Sequence, residues 1–171
     1  TAPVVKEAFG PDAESVALAW RFPGLASKDF EVLQVVSQVL YNGKAGLIDL
    51  DLNQQQKVLN SYGYPMGLAD YSAFILGGLP KQGQTLEEVK DLLLNEIKNL
   101  RAGEFDEKML QANINNFKLY ELQSMESNEG RADIFVNSFI NGTNWEDEVT
   151  AIDRMAKLTK EDIVAFADKY L

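Results

Sequence analysis

Residues 45–80 restrict the fold more than any other part of the sequence. Gly43 and Gly46 introduce a short apolar run, Leu47, Ile48, Leu50 and Leu52, that predicts a short helix over 47–54. A polar patch follows, Asn53-Gln54-Gln55-Gln56-Lys57, and then two strand-like runs, 58–66 and 71–79, with a turn over 67–70. The second run carries apolar residues at both alternating positions, the pattern of an inner strand covered on two sides. An inner strand needs a neighbour on each edge. Val16, Leu18, Trp20 and Phe22 alternate with Ala17, Ala19 and Arg21 to give a further strand, ended by Pro23-Gly24.

Helical stripes flank this strand-rich centre. Val32, Val35, Val36, Val39 and Leu40 recur at i, i+3, i+4, i+7 and i+8 behind Ser27, whose hydroxyl can accept from the free amides of a first turn. Asn42-Gly43 should close that helix. Thr85 and Glu88 form a capping box ahead of Leu86, Val89, Leu93, Ile97 and Leu100, and Gly103 stops the stripe. Asp106 can cap a helix with Leu110, Ile114 and Phe117 facing inward, broken near 127–130. The next stripe is Ile134, Phe135, Ser138 and Phe139, ending at Asn141-Gly142. Trp145, Val149, Ile152 and Ala156 mark another helix, and Thr159 with Asp162 starts the last, carrying Ile163, Phe166, Ala167 and Tyr170. About three strands followed by four or five helices predicts an α+β fold, with helices packed on one face of an antiparallel or mixed sheet. At 171 residues the chain is long enough for one domain with a real core. Residues 1–14 read as irregular, and Thr1 as a processed end.

The composition excludes several chemistries. There is no histidine and no cysteine. A catalytic zinc normally keeps at least one His ligand, and a Ser-His-Asp triad cannot be built. A net charge of −10 opposes binding to nucleic acid or to anionic membrane surfaces. No apolar run approaches the roughly 20 residues of a membrane span.

Few residues stand out as a site. Asp49-x-Asp51-x-Asn53 opens like a calcium loop, but Gln54 and Asn60 occupy the places where Gly and a bidentate Glu belong. Glu87, Glu88 and Asp91 fit the favourable end of a helix dipole. Gly77, Gly78 and Gly83 do not form a phosphate loop. Asn141-Gly142-Thr143 fits a glycosylation acceptor or, more simply, a helix cap. Trp20 and Trp145 fall in apolar stripes and read as core. Tyr62, Tyr64 and Tyr71 read either as a peptide-contacting surface or as ordinary strand residues with a wet polar tip.

Two stretches carry a family resemblance. Residues 43–62 run from a Gly-rich turn through a short helix to a strand ending in Tyr, and residues 126–171 contain Arg131-Ala132, Gly142, Thr159-x-x-Asp162-Ile163 and Ala167-x-Lys169-Tyr170-Leu171. Their order and spacing resemble the non-catalytic, C-terminal domain type of the M16 (pitrilysin-like) zinc metallopeptidases. The resemblance spans nearly the whole chain, 1–171. It implies the LuxS/MPP-like fold, a sheet with helices on one face and a further strand after residue 171, as one domain of a longer multidomain protein. It also implies a peptide substrate, neighbouring domains or a homologous subunit as partners, and zinc bound by another domain through His-x-x-Glu-His. Some members of the family place an Arg and a Tyr near substrate in the short-helix region. Tyr62 matches the Tyr. No Arg occurs between Phe22 and Leu100, and residues 53–56 stand in its place, so Asn53, Gln56 and Tyr62 are the candidate chamber contacts and no catalytic or metal-binding residue is carried over. Family members that have lost proteolysis leave a second reading, a structural or interaction domain. An unrelated ligand-binding α+β domain is a third.

Overall fold

A computed structural model describes residues 3–171. Strand β1 (Val16–Pro23) leads into helix α1 (Lys28–Leu40), and a π-helical turn at Asp49–Asn53 precedes strands β2 (Asn60–Gly67) and β3 (Tyr71–Leu79). Helices α2 (Leu86–Arg101), α3 (Lys108–Ser124), α4 (Asn128–Asn141), α5 (Trp145–Met155) and α6 (Lys160–Tyr170) follow. Residues 3–15 form no regular element, and the N-terminal residue read as a processed end lies outside the described residues.

The sheet has the order β1-β3-β2, with both pairings antiparallel. β3 is the inner strand, as its double-sided apolar pattern predicts. Leu18 pairs with Leu76, Trp20 with Phe74 and Phe22 with Ser72, and on the other edge Gly63 pairs with Leu76 and Pro65 with Phe74. These residues share one face of the sheet, and the helices pack on that face. Phe74 and Leu76 are fully buried there beside Val36, Val39, Leu93, Leu100 and Ile163. Phe22 stacks on Phe166 of α6 at 5.7 Å, which closes the core over the β1 edge. The expectation that β3 is covered on both sides needs correction: Ala73 and Ile75, on its other face, are only half-buried.

Local chemistry sets the helix ends. Ser27 accepts from the Phe30 amide at 3.2 Å, and the Thr85–Glu88 and Thr159–Asp162 boxes are complete. Gly103 and Gly142 sit at φ 71° and 65°, where a Cβ would be strained, so each ends its helix. The cap of α3 falls at Glu107, without a side-chain bond, and not at Asp106 as expected; Asp106, one residue earlier, accepts from the Lys108 amide at 2.9 Å. Close approach of α2 to the sheet depends on Gly78: a Cβ there would lie 2.6 Å from Val89 Cγ1. Val89, Leu93, Ile97 and Leu100 of α2 are all buried. Each such side chain contributes about 1.5–3 kcal/mol on burial.

The short helix over 47–54 exists, but it is wound as a π-helix. The Gln54 amide donates to the Asp49 carbonyl and the Lys57 amide to the Leu52 carbonyl, each five residues back. The buried Asp49 carboxylate explains why the turn closes. Its Oδ2 accepts from the Asn42 amide at 2.9 Å and the Gly46 amide at 3.0 Å. A Cβ on Gly46 would strike the Leu40 carbonyl oxygen at 2.6 Å, so only glycine fits.

Candidate peptide-facing surface

Strand alternation leaves the second face of the sheet without a helix. Tyr62, Tyr64 and Met66 of β2 lie beside Gly77, Ile75 and Ala73 of β3, which lie beside Ala17, Ala19 and Arg21 of β1. Each row is therefore a tyrosine or methionine, a small or aliphatic residue, and an alanine or arginine. The small side chains keep the face shallow. Gly77 is essential to this shape: a Cβ there would come within 2.4 Å of the Tyr62 ring. Tyr62 thus lies down across the inner strand, half-buried, and stacks on Tyr64 with ring centroids 6.2 Å apart. Tyr64 and Tyr71 remain exposed, and the Arg21 guanidinium sits 4.7 Å over the Tyr71 ring. Aromatic rings plus one cation on an open sheet suit an extended polypeptide: the rings cover apolar side chains and the guanidinium attracts a carboxylate.

The three candidate chamber contacts do not converge on this face. Tyr62 lies on it. Asn53 is turned to the edge of β2: its Nδ2 donates to the Ser61 carbonyl at 2.9 Å, and its Oδ1 accepts from the Ser61 amide and hydroxyl, both at 2.8 Å. The side-chain amide thus mimics the peptide group of an added strand and caps that point of the sheet edge. Gln56 is exposed in a positive-φ turn at 52°, and its carbonyl accepts from Lys81 Nζ at 2.8 Å. Arg21 adds a cation to this face that the short-helix pattern does not point to: the alternation of β1 puts it with Ala17 and Ala19 on the second face.

The other motifs resolve into structure. Asp51 accepts from Gln55 Nε2 at 3.3 Å, and the Asp49 carboxylate and the Asn53 amide are engaged as described, so the calcium-like run ties the π turn together. Glu88 is held below the usual carboxylate range by the Thr85 amide and hydroxyl. Glu96, buried on α2, is pushed up by desolvation and by the nearby Asp51 charge, against hydrogen bonds from Asn99 and Asn95. Trp20 packs on Phe74 at the core, as expected. Trp145 does not: at the start of α5 it is 40% exposed and stacks on Phe135 of α4 instead of the core. Among the described residues no group of three or more His, Cys, Asp or Glu could hold a metal ion, and no helix is long and apolar enough to cross a membrane.

Comparison with known families fixes what kind of domain this is. The model of the peptidase M16 inactive domain matches residues 1–117. The chain belongs to the M16 inactive-domain family. No functionally curated protein matches the sequence. Solved structures share the fold at low identity. A protease from Helicobacter pylori superposes with a TM-score of 0.84 at 21% identity, covering 91% of this chain and 38% of that one. The inactive peptidase domain of a Bordetella parapertussis protein named as a zinc protease gives 0.77 at 16% identity, covering 96% and 90%. A chain of complex III2 from Candida albicans gives 0.70 at 11% identity, covering 91% and 39%. The M16 inactive-type chain thus spans little more than a third of the Helicobacter protease, and about nine-tenths of the Bordetella domain. The α+β reading and the one-sided helix layer agree with this fold.

Proposed function

We propose that the chain is one non-catalytic domain, 1–171, of a longer M16 zinc metalloendopeptidase, and that its open sheet face forms a wall of the peptide chamber. Tyr62, Tyr64 and Arg21 contact the substrate. Asn53 acts indirectly by fixing the β2 edge, and Gln56 contacts the chamber from the rim. Peptide hydrolysis takes place at a zinc held by another domain, since a chain without imidazole or thiolate side chains has no ligand set suited to a catalytic zinc. Partners are therefore the neighbouring domains or a homologous subunit, and the peptide itself. The observation that carries this reading is the uncovered sheet face, where aromatic rings and a cation stand over a floor of Gly, Ala and Ile.

The test is kinetic. In the full-length parent, Arg21→Ala combined with Tyr64→Ala should raise KM for an unstructured peptide about tenfold, the loss of roughly 1.4 kcal/mol of uniform binding, with kcat and zinc content retained. An unchanged KM would overturn the chamber assignment. The likeness to a complex III chain favours one rival, a structural domain of a non-proteolytic member. A parent without His-x-x-Glu-His, and without a companion subunit supplying it, would decide for that rival.

A further inference from the structure

A second surface lies on the helical side, remote in sequence from the tyrosine face. Helix α4 buries only Ser138, while Phe135, Phe139 and Ile140 are 58%, 89% and 68% exposed. Phe135 stacks on Trp145 at 4.3 Å. Trp145 begins the apolar stripe of α5, which continues one and two turns later as Val149 and Ile152. Those two residues line a groove of about 280 Å³ shared with Leu122 of α3. One apolar track therefore runs from α4 along α5 to α3. Contiguous apolar surface left exposed on a folded domain is a candidate interaction site.

The charges around the track select its occupant. Residues 118–154 contain eight Asp and Glu side chains against Lys118, Arg131 and Arg154. Glu121, Asp153 and Lys118 line the groove itself, and Glu146, Asp147 and Glu148 fill the first turn of α5 beside Trp145, with Asp147 paired to Arg154 at 3.6 Å, so the rim stays acidic on balance. A second copy would bring acid against acid, and an anionic lipid surface would meet the same repulsion. A partner with an apolar stripe bordered by lysine or arginine meets attraction on both counts. The groove between two helices suits an amphipathic helix, whose i, i+3, i+4 residues fill such a slot.

We infer that the α3–α5 face docks a basic amphipathic helix of a partner protein, with Phe139 and Trp145 anchoring its apolar stripe and the acidic rim orienting it. The site is distinct from the sheet face, and its test does not depend on proteolysis.

The probe is a fluorescein-labelled Leu/Lys peptide designed as an amphipathic helix of about five turns, titrated into the 171-residue chain. A Leu/Glu peptide of the same pattern is the control. Saturable binding of the Leu/Lys peptide alone is expected, weakened about tenfold when salt is raised to a level that screens surface charge. Phe139→Ser with Val149→Ser should weaken binding by about tenfold or more, with helical circular dichroism unchanged. Equal binding of both peptides, or of the double variant and the parent chain, overturns the inference. So does sedimentation showing a dimer that the double variant abolishes, which would make the occupant a second copy.

Discussion

Helices α2 and α4 are of similar length, 16 and 14 residues, and both start from a hydroxyl cap. Their fates differ. α2 spends its apolar stripe on the sheet, with Val89 against Gly78 and Leu93, Ile97 and Leu100 in the core. α4 sets its phenylalanines toward solvent and buries one serine. The lesson is that an apolar stripe states which face of a helix seeks cover, not where the cover is. For α2 the sheet supplies it. For α4 the chain supplies only a part of it, Trp145 of α5 stacked on Phe135.

The contrast can be broken or sharpened by experiment. Leu93→Ala should cost about 2–5 kcal/mol of unfolding free energy in denaturant titration, through a cavity between α2 and β3; a loss under one kcal/mol would mean that α2 is not seated on the sheet. Gly78→Ala should cost about 1–3 kcal/mol, because its methyl group meets Val89. Thr85→Ala should cost about 1 kcal/mol by freeing an amide at the start of α2, a change visible in thermal melts.

pH separates two carboxylates on the same helix. Glu88 is depressed, so its stabilising contribution is present above the unfolded carboxylate pKa and is lost as pH falls through its folded value. Glu96 is raised, so the unfolded chain binds fewer protons than the folded one between its two pKa values, and stability falls as pH rises through that window. Glu96→Gln should therefore raise the melting temperature at pH 7 and lose that advantage in acid, below the unfolded value. An advantage independent of pH would show that burial does not push the Glu96 carboxyl up. The smallest effect is reserved for α4: Phe139→Ala should change stability by less than about 0.5 kcal/mol, since its side chain is 89% exposed.

Much of the fold was legible in the residues. Period-two alternation located β1, an apolar run on both alternating positions located β3, the hydroxyl-plus-acid pairs located the starts of α2 and α6, and Gly103 and Gly142 located two helix ends. These features were readable because they act over a few residues. The site was harder to read. Arg21 joins the tyrosines only through the β1–β3 register, across about 50 residues of chain. Asn53 reads as a chamber contact in the sequence because nothing local reveals that its amide meets Ser61.

The sequence by itself determined the elements, the inner place of β3 and the absence of any imidazole or thiolate, since each depends on residue type and short-range spacing. Tertiary structure alone decided which apolar faces are covered, that the π turn folds around the Asp49 carboxylate, and that Arg21 shares a surface with Tyr64 and Tyr71. Those outcomes are fixed by strand register and helix docking, long-range contacts that no local window of residues encodes.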